Sequence, residues 1–94
     1  MTMTMFPRRA LGGVPVVVYG NRWCGITQMI RRTLDRAGIA YDYVDLDTHP
    51  DVERRLRWTV GRGFRQPLVY IGGRWLEQPS PAELQRALLM AHAA

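Results

Sequence analysis

One cysteine, Cys24, stands in the 94 residues, and lysine is absent altogether. A lone cysteine excludes an internal disulfide framework, so any redox cycle through Cys24 must borrow a thiol from another molecule. It also points to a reducing compartment, most simply the cytosol. Long apolar runs are missing too: Val14 to Tyr19, interrupted by Pro15, is far too short to span a bilayer. The opening Met1 to Arg9 has neither a sufficient apolar run after its arginines nor a small-residue cleavage site, and does not read as a secretory leader. Repeats and low-complexity tracts are likewise lacking. Residues 1–13, ending in Gly12-Gly13, are expected to form a mobile arm, with a single domain over 14–94. Of the two histidines, His49 and His92, neither is placed to pair with Cys24 as a dyad, and no protein-only zinc site is expected.

The basic side chains are thirteen arginines, and the net charge is +5. Arg31, Arg32, Arg36, Arg54, Arg55, Arg57 and Arg86 are spread over three helical segments and often stand near acids. That distribution fits solvated helix faces better than a nucleic-acid surface. An apolar content of 47% is enough for one core.

Val14 to Tyr19 reads as a short buried strand, because β-branched residues follow one another without polar alternation. Gly20-Asn21-Arg22 then turns the chain. From Cys24 onward Ile26, Met29, Ile30, Leu34 and Ala37 take the spacing of one helical face, and Gly38 stops that helix. Ala40 to Leu46 is a second strand. Thr48 can cap the next helix, with Pro50 in its first turn, Asp51 and Glu53 near its positive end, and Val52, Leu56 and Val60 facing inward. Pro67 to Ile71 is a third strand. Gly72-Gly73 signals a hairpin into a short fourth strand at Arg74 to Leu76. Ser80-Pro81-Ala82-Glu83 has the form of a capping box, followed by Leu84, Ala87, Leu88 and Ala91 on an inward face. The predicted order is β-α-β-α-β-β-α: an α/β fold whose mixed four-stranded sheet, flanked by three helices, is thioredoxin-like. Its first two strands should be parallel with a right-handed crossover, and its last two antiparallel. Trp58 and Trp75 are expected to pack, and Trp23 to shape the rim of the thiol site.

Cys24 lies at the strand-to-helix junction, where unpaired backbone N–H groups and the nearby Arg22 favour thiolate, the nucleophile in thiol–disulfide exchange. The plain alternative for such a residue is an inert core cysteine. Thr27, one turn on, would either donate to the Cys24 sulfur or bond a carbonyl of its own helix.

Taken together, Val16 to Tyr19, Trp23-Cys24-Gly25, Tyr41 to Asp47 and Pro67 to Gly73 resemble a glutaredoxin over roughly residues 14 to 92. The tail Leu76 to Leu84 is similar to small mycoredoxin-like members. Gly63 to Gln66 is similar to the glutaredoxin-like electron donors of ribonucleotide reductase, where the proline comes one residue later. Cys24-Gly25-Ile26-Thr27 resembles the Cys-Gly-Phe-Ser of monothiol members, with Thr27 in place of a resolving cysteine.

The resemblance implies a cis peptide before Pro67, although an ordinary trans proline is equally allowed at a strand start. It further implies exchange of mixed disulfides with glutathione or a related low-molecular-weight thiol, with protein thiols as partners. Gln66 would then pair with the cysteinyl backbone of glutathione. Arg22 and Arg65 would grip its carboxylates, Ile26 would lie beside it, and Ser80 at the last helix would take its other end. Each of these has a bland counterpart, a solvent-facing arginine or a simple cap. Family residues are replaced at Asn21 (a lysine), at Arg65-Gln66 (Thr-Val), and at Glu77, Gln78 and Ser80 (Gly, Gly, Asp); Glu77 would repel an incoming carboxylate. Two alternatives stand beside monothiol exchange. One is a [2Fe–2S] carrier, with one Cys24 from each of two chains and two glutathiones, the chain being otherwise monomeric. The other is a non-catalytic binding module.

Overall fold

The computed structural model describes residues 14–93, with side chains through Ala91. The arm expected over residues 1–13 lies outside the described residues. Seven elements follow in the expected order: β1 (Val16–Gly20), α1 (Gly25–Arg36), β2 (Asp42–Asp45), α2 (Pro50–Thr59), β3 (Leu68–Ile71), β4 (Arg74–Glu77) and α3 (Pro81–Ala93). The sheet runs β2-β1-β3-β4. β1 and β2 are parallel, joined through α1, and β1–β3 and β3–β4 are antiparallel. Among the described residues no helix is long and apolar enough to cross a membrane.

Because strand side chains alternate, β1 and β3 feed two cores at once. Val16 and Val18 of β1, with Val69 and Ile71 of β3, pack against Ile30 and Leu34 of α1 and against Leu84 and Ala87 of α3. On the opposite face Leu68 joins Leu46 and Leu56, with Tyr19, Val52, Phe64 and Trp75 packed around them. Trp75 packs at a tilt against its neighbours, with ring centroids 5.9 Å from Tyr19 and 4.8 Å from Tyr70. Both faces of the central strands are therefore covered, which explains the lack of polar alternation in β1.

The ends of the helices carry much of the local specification. Leu34 and Asp35 carbonyls accept from the N–H groups of Ile39 (3.0 Å) and Gly38 (3.1 Å), a Schellman ending for α1. At α3 the capping box forms in full: Ser80 Oγ accepts from Glu83 N–H at 3.1 Å, and Glu83 Oε1 accepts from Ser80 N–H at 2.8 Å. The Gly72-Gly73 hairpin turn has φ of +51° and +93°, the paired positive values of the tight hairpin turn.

Three expectations need correction. Thr48 does not cap α2. Its hydroxyl donates to the Asp45 carbonyl at 3.2 Å within a preceding turn, and His49 takes the N-cap position without a side-chain capping bond, its ring Nδ1 lying 2.9 Å from the same carbonyl. The buried stripe of α1 is Thr27, Ile30 and Leu34, leaving Ile26 and Ala37 exposed. Trp58 does not pack: it is 83% exposed, because two residues beyond Leu56 is about 200° around the helix, on the far side from the core. Leu34→Ala should accordingly cost about 2–5 kcal/mol in urea unfolding, whereas Trp58→Ala should change stability by no more than about 0.5 kcal/mol.

Candidate active site

β1 ends at Gly20, and a four-residue turn leads into α1. Cys24 N–H donates to the Asn21 carbonyl at 3.0 Å, closing the turn. Asn21 braces it from both ends: Oδ1 accepts from Trp23 N–H at 2.8 Å, and Nδ2 donates to Asp47 Oδ2 at 2.7 Å. Gln28 Nε2 of α1 donates to the Arg22 carbonyl at 2.7 Å. The segment that carries the thiol is thus tied to its own helix and to the loop after β2. Trp23, 82% exposed, stands out from this turn into solvent.

Cys24 is the N-cap residue of α1, with extended backbone (φ −86°, ψ 124°) and a partly exposed side chain. An N-cap side chain faces the N–H groups of the second and third helical residues, here Ile26 and Thr27. As a thiol Cys24 makes no capping hydrogen bond. As a thiolate it becomes the acceptor those groups lack. The Thr27 N–H is the main cause that lowers the Cys24 thiol below its ordinary value; partial burial opposes it, and the Thr27 hydroxyl and Ile26 N–H add to it. Arg22 takes no part in that shift. Its Nε pairs with Asp45 Oδ2 at 3.4 Å, so the expected help from this guanidinium is spent on β2.

Thr27 itself is fully buried, and its hydroxyl has no hydrogen-bond partner. Neither expected bond, to the Cys24 sulfur or to a carbonyl of its own helix, is formed. What holds Thr27 in place is contact with Gly20 and Pro67. A Cβ at Gly20 would lie 2.6 Å from Thr27 Oγ1 and 3.1 Å from Pro67 Cβ, so only glycine lets these two residues close over the end of β1.

The Gln66–Pro67 peptide is cis, as the resemblance implies. This loop is pinned to the end of β4: Gln78 N–H donates to the Pro67 carbonyl at 2.8 Å, and Gln78 Nε2 donates to the Gln66 carbonyl at 2.8 Å. Glu77 Oε1 accepts from Arg65 N–H at 3.2 Å, so the carboxylate expected only to repel a ligand also holds the loop. Gln66 Nε2 reaches Glu53 Oε2 of α2 at 3.5 Å.

Thr27 and Pro67 therefore meet at Gly20, with Cys24 three residues before Thr27 at the N-cap of α1 and Ile26 exposed on the first turn of that helix. Arg65 is exposed and makes no ion pair among the described residues. Ser80 Oγ is committed to the cap of α3. Among the described residues no group of three or more His, Cys, Asp or Glu side chains could hold a metal ion. Sequence reasoning missed the bracing roles of Asn21, Gln28 and Asp47, of which only the Gly20-Asn21 turn signal hinted. It also missed the Gln78 side chain, whose partner is remote in the chain.

Two outcomes test this geometry. Thr27→Val should fold at least as stably, since it deletes a buried unpartnered hydroxyl, yet shift the midpoint of Cys24 alkylation with iodoacetamide to higher pH. The shift should be partial, because the Thr27 N–H remains. The sign also governs stability: a thiol lowered on folding stabilises the fold most above the unfolded-state value and loses that contribution as pH falls through the folded-state value. Gly20→Ala should destabilise by about 1–3 kcal/mol in urea melts, because Thr27 and Pro67 must both give way.

The glutaredoxin family model matches residues 16–76. No curated protein matches the chain. Among solved structures, the glutaredoxin of Archaeoglobus fulgidus superposes with a TM-score of 0.72 at 16% identity, covering 94% of this chain and 96% of that one. NrdH-redoxin from Escherichia coli, a glutaredoxin-like protein described as having a thioredoxin-like activity profile, gives a TM-score of 0.66 at 24% identity, covering 76% of this chain and 91% of that one. The buckwheat glutaredoxin solved with glutathione gives 0.64 at 22% identity, covering 92% and 83%. These likenesses carry the thioredoxin-like fold, and the family match spans both the Cys24 turn and the Pro67 strand: the chain belongs to the glutaredoxin family.

Proposed function

We propose that the protein is a monothiol thiol–disulfide oxidoreductase that exchanges mixed disulfides with glutathione or a related low-molecular-weight thiol. The observation that carries this reading is the partly exposed Cys24 at the N-cap of α1, where backbone N–H groups favour its ionised form. Family membership supports the reaction class, and the buckwheat relative was solved with glutathione.

The Cys24 thiolate attacks the low-molecular-weight half of a mixed disulfide. The old S–S bond breaks, the target's sulfur leaves as thiolate and takes a proton from water, and a disulfide links Cys24 to the small thiol. A second small thiolate then attacks the small-thiol sulfur of that adduct. Cys24 leaves as thiolate, and the two small thiols depart as their disulfide, so two electrons have passed to the target. Thr27 supplies no resolving sulfur, which makes the external thiol obligatory.

Arg65 is the guanidinium best able to take a carboxylate of the thiol, since Arg22 already shares its charge with Asp45. Ile26 offers apolar contact, and Gln66 offers backbone next to Pro67. Ser80 would contribute through the start of α3, its own hydroxyl being held by Glu83.

Turnover of a glutathionylated peptide in excess glutathione tests the proposal. The native chain should turn over, Cys24→Ser should lose all activity, and mass spectrometry after incubation with oxidised glutathione should place one adduct on Cys24. A folded sample inert towards every low-molecular-weight thiol would sink it. The same exposed thiolate would ligate a [2Fe–2S] cluster only by pairing two chains with two external thiols. Anaerobic reconstitution yielding a coloured dimer would favour that reading, and a colourless monomer the exchange reaction.

A further inference from the structure

We propose that Gln78 is a specificity-determining residue: its side-chain amide occupies the Gln66 carbonyl, and an extended thiol partner must displace it to dock beside Cys24. The inference deepens the exchange reading and rests on it.

Gln66 sits just outside the sheet. The β1–β3 ladder begins at Tyr19 opposite Leu68, so the backbone of residues 65 and 66 projects past the last paired residue of β1. Backbone that runs beyond its ladder is where an added extended segment pairs, through donors and acceptors of its own. Here one acceptor and one donor of that backbone are already taken from within the chain. Gln78 Nε2 donates to the Gln66 carbonyl at 2.8 Å, and Glu77 Oε1 accepts from the Arg65 N–H at 3.2 Å. A primary amide presents a carbonyl with the same N–H donor as a peptide backbone. Gln78 therefore imitates the first hydrogen bond of an incoming peptide.

The backbone at Gln78 shows that this arrangement is held rather than incidental. Its φ is +46°, and among the described residues no other non-glycine residue has a positive φ. Such values are uncommon outside glycine. The Gln78 N–H bond to the Pro67 carbonyl at 2.8 Å fixes the residue in that conformation and aims its side chain back along the loop. Glycine would satisfy the same backbone, so the side chain is what a glutamine adds here.

Gln78→Gly separates the side chain from the backbone and suits a positive φ, so the variant should fold. Binding of S-methylglutathione, which has no free thiol and cannot exchange, is followed by chemical-shift titration of the full chain. Gln78→Gly should bind about 2- to 10-fold more tightly than the native protein, the scale of one net hydrogen bond. The pH midpoint of Cys24 alkylation should not move, which distinguishes an opened docking edge from a rearranged thiol site. Unchanged or weaker binding by Gln78→Gly, a moved midpoint, or no binding by either protein would overturn the role of Gln78. Loss of the oxidoreductase reading shows separately, as absent turnover of a glutathionylated peptide by a native chain that still binds the analogue.

Discussion

The site depends on an atom that is missing. Gly20 ends β1 without a Cβ, and into that space Thr27 and Pro67 close from two different elements. Helix α1 can then start one short turn beyond the strand, with Thr27 of its first turn and Pro67 both against Gly20. Any side chain at residue 20 would force Thr27 and Pro67 apart. The close packing is of the kind found in protein interiors, where a misfit of one methyl group is felt.

Around this contact the electrostatics are local. Peptide groups at the start of α1 favour the anion of Cys24, while the nearest guanidinium is held by Asp45. Fixed amides in the first helical turn are screened by salt less than a mobile surface charge would be. The site thus owes its character to where Cys24 sits on the helix, and little to the excess of arginine. Among the described residues Arg57 is the other arginine in an ion pair, with Glu53 at 3.1 Å one turn away.

The fold was almost wholly legible because each strand and helix carries its own punctuation: Gly38, Gly72-Gly73 and the Ser80–Glu83 box all end or begin elements where their chemistry suggests. Departures arose where an apolar residue had two readings. Ile26 and Trp58 fit an apolar pattern loosely, and only the rotation of their helices, set by packing elsewhere, turns them to solvent. At α2 the turn from Asp45 to Thr48 consumed the threonine expected to cap the helix. In the site, the placement of Cys24 at the start of α1 could be read from position alone. The cis state of Pro67 and the bracing by Asn21, Gln28, Asp47 and Gln78 depend on partners distant in sequence, which no local pattern encodes.

The N-cap position of Cys24 bears on the adduct as much as on the attack. A sulfur locked in a disulfide is a neutral, weak acceptor, so the first turn of α1 then begins with Ile26 and Thr27 N–H groups unanswered. Expelling Cys24 from the adduct restores that acceptor, and a thiolate stabilised in this way is the better leaving group. In the proposed exchange the helix start would therefore favour release of the small thiol over its retention. It would tilt the protein towards passing its cargo on, and away from storing it.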